Sequence, residues 1–238
     1  MPAQPSADLR RLLGQSAIFS TLDPDELDEL VALGRSKSVR ADQVVFWKGE
    51  AAAQLYAVVN GRLKVVVGSA DGRDMVLRLL DPGALFGEIG LFDGGARTAT
   101  VIASEEAELL VVDRRDFMPF LRRRPDAAIK LLAALASRLR ATTEQVEDSV
   151  FLGVAPRLAK KLLELARSYG RAEGGGTRIA VRLSQQELGD LVATSRVSVN
   201  QQLHAWEREG WVRIERGHVT LLDCDRLARI AGEDDEPS

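Results

Sequence analysis

A change of period near Pro125 constrains this chain more than any other feature. Upstream, from Val39 to Val112, short β-branched runs (VVFWKGE, LYAVVNGRLKVVV, MVLRLL, TATVIA and ELLVVD) are cut by turn residues. Downstream, apolar residues recur every three or four positions, the spacing of one helix face. Strands this short and this regularly spaced predict a small antiparallel β-barrel or jelly roll, followed by helices, within an α+β class. Val58-Val59-Asn60-Gly61-Arg62 reads as a hairpin on the favoured Asn-Gly turn, and Ala70-Asp71-Gly72-Arg73 reads as another. Before the strands, Asp8 to Gly34 reads as short helices, with Asp23 as cap, Pro24 at the first helical position, and Leu27, Leu30 and Val31 on one face.

In the helical part, Leu132, Leu135, Leu139, Thr142 and Val146 form a narrow heptad-like seam. A stripe so narrow suits pairing with another helix, hence a homodimer, although a helix lying on its own barrel gives a similar pattern. Gly153 breaks this helix and Pro156 opens the next. The expected organisation is therefore a β-domain over 1–124, a dimerisation helix over 125–150, a hinge over 151–156, a C-terminal domain over 157–230 and an acidic tail over 231–238.

The C-terminal domain reads as helix, loop, two short helices and a hairpin. Leu158, Leu162, Leu165 and Ala166 face inward on a helix from Pro156 to Tyr169, and GRAEGGGTR reads as a flexible surface loop. Ser184-Gln185-Gln186-Glu187 has the Ser-x-x-Glu form of a capping box. Ser195 caps a second helix, and WVRIERGHVTLLD forms a hairpin with its tip at Arg216-Gly217-His218. Two short helices about three residues apart, then a β-hairpin, describe a winged helix-turn-helix, whose second helix enters the DNA major groove. At 100° per residue, Val199, Leu203 and Trp206 share one face, while Val197, Asn200, Gln201, His204 and Arg208 share the opposite one. A solvated helix has a similar outer face. The charge balance adds to the DNA reading: the net charge is −3, yet residues 153–230 carry 13 basic and 9 acidic side chains. Ala193 is a blemish, because the turn of this motif favours glycine where positive φ is needed.

Between two expected strands lies Phe86-Gly87-Glu88-Ile89-Gly90-Leu91-Phe92-Asp93-Gly94-Gly95-Ala96-Arg97-Thr98-Ala99. Glycines that expose backbone N–H groups, one carboxylate and an arginine nine residues later compose an anion cradle. In it, amides and Arg97 hold a phosphate while Glu88 accepts a sugar hydroxyl. A glycine-rich corner with an Arg–Glu surface pair would use the same residues.

This segment closely resembles the phosphate-binding cassette of cyclic-nucleotide-binding domains. The domain order resembles the cAMP receptor protein and FNR-type family of bacterial transcription regulators, from about Ile18 to Leu227. The resemblance implies that Gly87 and Glu88 contact ribose and cyclic phosphate, that Arg97 pairs with the phosphate, and that Thr98 bonds phosphate or base. Within Ser137-Arg138-Leu139-Arg140-Ala141-Thr142-Thr143-Glu144, it implies that Thr142 reaches the ligand of its own subunit and Thr143 that of the partner. For DNA it implies contacts from Ser184, Gln185, Ser195, Arg196, Val197, Ser198, Asn200 and Gln201. Arg196 keeps the family pattern, whereas Val197 stands where the family has glutamate and Gln201 where it has a second arginine. The partners implied are double-stranded DNA with a pseudo-palindromic operator, a second copy of the chain, and RNA polymerase.

Composition excludes other classes. Histidine occurs only at His204 and His218, which disfavours zinc hydrolysis and Ser–His–Asp chemistry, so an enzyme is not expected. Cys224 is the single cysteine, which leaves no intrachain disulfide and no Cys/His spacing of a metal or iron–sulfur site; the resemblance implies no haem either, because the family's haem-containing branch uses a histidine within the effector domain and both histidines here lie beyond residue 200. No long apolar run or signal-peptide core appears, so a soluble cytoplasmic protein is expected, without membrane contact. The expected function is an allosteric, cyclic-nucleotide-responsive regulator, with Thr98 leaving both cAMP and cGMP open. The runner-up is a ligand-independent DNA-binding regulator with a vestigial pocket.

Overall fold

The computed structural model describes residues 22–68 and 74–232, and the chain divides into two compact units, 1–140 and 141–238. The readings made for 8–21, for the 69–73 turn tip and for the acidic residues 233–238 lie outside the described residues.

The first unit opens with α1 (Pro24–Leu33). Asp23 is its N-cap, and the Glu26 carboxylate accepts from the Asp23 N–H at 2.9 Å. Leu27, Leu30 and Val31 are buried, as the 3.6-residue period requires. Eight strands follow: β1 (Arg35–Val39), β2 (Val44–Phe46), β3 (Gln54–Asn60), β4 (Leu63–Gly68), β5 (Asp74–Leu80), β6 (Leu85–Phe86), β7 (Thr100–Ala103) and β8 (Ala107–Asp113). They form two antiparallel four-stranded sheets, ordered β1-β8-β3-β6 and β2-β7-β4-β5. The α+β class and the jelly-roll form therefore hold, but the strands do not close into a barrel. Each sheet ends on its own edge strands, and β2 and β6 are too short to bridge to the other sheet.

The Asn60-Gly61 turn is a correction too. It does not join a hairpin, because β3 pairs with β8 and β6 while β4 pairs with β5 and β7. Both flanks of each strand are taken by strands of its own sheet, so the turn carries the chain from one sheet to the other. By contrast, β4 and β5 pair from Leu63↔Leu80 to Gly68↔Asp74, the hairpin expected around residue 71. Val58, Leu63, Leu109 and Val111 fill the core between the sheets, while Phe117 and Phe120 of α3 (Arg114–Arg123) join α1 in a second cluster. A short helix, α2 (Glu88–Asp93), interrupts the path from β6 to β7. The long helix α4 (Pro125–Phe151) crosses the division between the units.

The second unit continues with α5 (Val154–Tyr169), so only Leu152 and Gly153 separate two helices, and Pro156 lies within the first turn of α5 instead of opening it. Leu158, Leu162 and Leu165 are buried. The segment read as a flexible loop is a hairpin, β9 (Gly170–Glu173) and β10 (Gly176–Ile179). Gly174 and Gly175 both adopt positive φ (59° and 80°), the conformation that a tight two-residue turn demands. Then come α6 (Gln185–Leu191), α7 (Arg196–Arg208), β11 (Val212–Glu215), β12 (His218–Leu221) and α8 (Cys224–Ala231). The sheet order is β11-β12-β10-β9. Helix α8, absent from the sequence reading, is capped by Asp223, whose Oδ1 accepts from the Arg226 N–H at 3.0 Å, and it packs against α5. No helix among the described residues is long and apolar enough to cross a membrane.

Candidate functional site

In the first unit, the chain leaves β6 at Gly87, turns through α2, and returns past Gly94 and Gly95 to Arg97 and Thr98 before β7. This path borders an open cleft with a volume of about 70 Å³. Gly87, Glu88, Arg97 and Thr98 line it together. Gly87 has φ of 79°, and a Cβ there would stand 2.6 Å from Arg97 Nη1, so only glycine fits beneath the guanidinium.

Arg97 is 5% exposed. Its Nη1 and Nη2 donate to the carbonyls of Gly87 (2.6 Å) and Gln54 (2.7 Å), and the guanidinium lies 4.2 Å from the Phe46 ring centroid. Its Nε is buried with no hydrogen-bond partner, and it forms no ion pair among the described residues. Burial pushes its pKa down, against the pull of Tyr56, Glu50 and Glu88. A desolvated cation with no anion of its own is costly, and an anion entering the cleft removes that cost.

Glu88 is also buried, and its Oε1 accepts from Arg138 Nη1 at 2.5 Å, while Arg138 Nη2 donates to the Leu85 carbonyl at 3.0 Å. Arg138 belongs to α4, so the cleft's carboxylate is tied to the long helix. Arg78 of β5 also lines the cleft. Sequence reasoning assigned no role to either arginine: one lies fifty residues from Glu88, and the other arrives only through strand register. Thr98 is exposed at the cleft. Thr142 and Thr143 are exposed on the part of α4 that belongs to the second unit.

In the second unit, Ser184 and Glu187 complete their capping box: the Glu187 N–H donates to Ser184 Oγ at 3.1 Å and the Ser184 N–H to Glu187 Oε2 at 3.0 Å. Ser195 caps α7 by accepting from the Ser198 N–H at 3.1 Å. Ala193, between the helices, has φ of 51°. Arg157 of α5 holds that turn by donating to the carbonyls of Val192 (2.7 Å) and Ala193 (3.1 Å). On α7, Val199, Leu203 and Trp206 are buried; Arg196, Val197, Gln201, His204 and Arg208 are exposed; Ser198 and Asn200 are half-buried. Glu207 accepts from the Ile214 N–H at 3.0 Å, which fastens α7 to the first strand of the wing. Ser184 is exposed and Gln185 half-buried at the start of α6.

Residues 36–124 match the cyclic nucleotide-binding domain family and residues 156–230 the Crp-like helix-turn-helix domain family. The chain is 34% identical over 220 residues to a CRP-like cAMP-activated global transcriptional regulator of Mycobacterium tuberculosis, covering 92% of this chain and 98% of the relative. The chain belongs to the CRP/FNR family of transcription regulators. Among solved structures, the catabolite activator protein of Thermus thermophilus is 33% identical, with a TM-score of 0.53 over 92% of this chain and 99% of that one. The c-di-GMP responsive regulator CLP of Xanthomonas campestris matches the fold, with a TM-score of 0.74 at 24% identity over 84% of this chain and 99% of that one.

As a CRP/FNR family member, the chain is a DNA-binding transcription regulator with a cyclic-nucleotide-binding domain, not an enzyme. The buried Arg97 and Glu88 are thus parts of a binding domain, and neither needs a catalytic explanation.

Proposed function

We propose that the protein is a cytoplasmic homodimeric regulator in which a cyclic purine nucleotide, bound in the cleft, selects the DNA-competent arrangement of the dimer. The observation that carries this reading is Arg97, buried with its Nε unpartnered and lining the same cleft as the Glu88 carboxylate. The two groups fit a cyclic phosphate monoanion joined to a ribose. Arg97 Nε and the first backbone amides of α2 bind the phosphate, and Glu88 accepts the 2′-hydroxyl. The cAMP activation named for the mycobacterial relative supports the same class of effector.

Glu88 is already held by Arg138, so a ribose hydroxyl competes with an arginine of α4 for the same carboxylate. Ligand binding then frees or re-pairs Arg138 and biases the helix, while Thr142 and Thr143 offer hydroxyls to the base. The ligand shifts the population only as far as it binds one state more tightly. The dimer forms along α4 through Leu132, Leu135, Leu139, Thr142 and Val146, and the DNA-bound dimer contacts RNA polymerase.

Calorimetric titration with cAMP and cGMP, repeated on Arg97→Ala, tests the reading. Heat with at least one nucleotide is expected, weakened at least tenfold by the substitution, as for a lost charge-assisted contact of about 1.5–3 kcal/mol. DNA affinity that is indifferent both to nucleotide and to Arg97→Ala establishes the vestigial-pocket alternative instead.

A further inference from the structure

The floor of the cleft is a single cross-strand row. Phe46 on β2 pairs with Val101 on β7, Val101 with Val65 on β4, and Val65 with Arg78 on β5. Directly paired residues share a sheet face, so the four side chains lie in line across the sheet β2-β7-β4-β5. Arg97 covers the Phe46 end. Arg78 stands at the other end, three strand intervals or about 14 Å away along the backbone. Between the two cations the floor is Val101 and Val65, flat and apolar.

Arg78 is partly buried, and its guanidinium makes no hydrogen bond or ion pair among the described residues. Burial and the neighbouring Arg138 lower its pKa to about 10, opposed by Glu88, whose carboxylate Arg138 already occupies. A fork of N–H donors is thus presented, unsatisfied, at the end of an apolar shelf whose opposite end binds the phosphate in the reading above.

We propose that Arg78 is the base-reading residue of the cleft and that it selects guanine over adenine. The proposal rests on the cyclic-nucleotide reading of the same site. With the phosphate at Arg97, the purine lies on Val101 and Val65 and turns an edge toward Arg78. Guanine offers two acceptors there, O6 and N7, which match the two parallel N–H groups of a guanidinium. Adenine offers only N7 and places its N6 amino group, a donor, against a second donor. A hypoxanthine base has the same O6 and N7 but lacks the 2-amino group, which separates Arg78 from any contact that Thr98 makes to that amino group.

Competition binding on the full-length protein with cGMP, cIMP and cAMP tests this. Wild type is expected to bind both cGMP and cIMP about 5- to 150-fold more tightly than cAMP, the discrimination of one bidentate arginine–base pair. Arg78→Met, which keeps the apolar stem, should bring the three nucleotides to within a few-fold of each other. Arg78→Lys, a point charge without the fork, should lose most of the preference as well, and it serves where the methionine variant folds poorly. A wild type that favours cAMP or is indifferent overturns the proposal. So does a preference that survives in both variants, or one shown by cGMP and not by cIMP. Absence of binding by all three nucleotides instead removes the cyclic-nucleotide reading, and this proposal with it.

Discussion

Ala193 sits at φ 51° in the turn between α6 and α7, where its Cβ crowds the following carbonyl. The turn persists because Arg157 ties down the carbonyls of Val192 and Ala193, on both sides of the Ala193 Cα, and because the helices it joins are packed. Ala193→Gly relieves about 1–2 kcal/mol of left-handed strain, less about 0.4–1 kcal/mol for the freedom glycine gains when unfolded. A net stabilisation of about 0.5–1 kcal/mol follows, read as a rise of about 1–4 °C in the unfolding midpoint by scanning calorimetry. An unchanged or lower midpoint contradicts the strain. At this scale, local chemistry reads directly from sequence: the Ser184–Glu187 box, the Ser195 cap and the strained alanine each depend on residues within four positions of one another. Arg78, Arg138 and Arg157 do not. Arg138 and Arg157 bind groups more than thirty positions away, and Arg78 lines the cleft, only because strand register or helix packing brings them there.

Among the elements, α4 carries its own signal. Leu132, Leu139 and Val146 are 64%, 68% and 58% exposed, spaced one heptad apart on a helix of 27 residues. Such a stripe costs free energy in water unless a second helix covers it. Leu139→Glu should place two carboxylates against each other in the proposed dimer. The expected result is dissociation to monomer at micromolar concentration, a weakening of about 100-fold or more in analytical ultracentrifugation. A dimer of undiminished affinity places the interface elsewhere. The elements misread from sequence share a cause. Asn60-Gly61 has hairpin chemistry, but the sheets on either side claim both strands. The Gly174-Gly175 pair lies within a run of polar and small residues that resembles a linker, yet its positive φ values close a turn and β10 finds a second partner in β12. Pairing with distant strands decided both cases, and period alone cannot reveal it.

For the molecule as the proposed regulator, the outer face of α7 is expected to set the operator. Arg196, Val197 and Gln201 are exposed, with Val197 at 63%, while the Ser198 hydroxyl is engaged with Ser195 at 2.9 Å and Asn200 is half-buried. Arginine pairs bidentately with guanine O6 and N7, glutamine with adenine N6 and N7, and an apolar side chain packs on the thymine methyl. The proposed two-fold dimer presents two copies of this face, so the expected site is a pseudo-palindrome with half-site centres about one helical turn apart. Arg196 is then expected to fix one guanine per half-site, and Val197 and Gln201 to turn neighbouring positions toward T or A. In a randomised-site selection with nucleotide present, Arg196→Ala should flatten one symmetric pair of positions by about 1–3 kcal/mol, and Gln201→Arg should introduce a guanine preference beside it. Because these contacts read base edges, Arg196→Ala should relax preference at its own positions and leave the rest of the site intact. A loss spread evenly over all sequences instead marks Arg196 as a phosphate contact and moves base reading to other residues of α7.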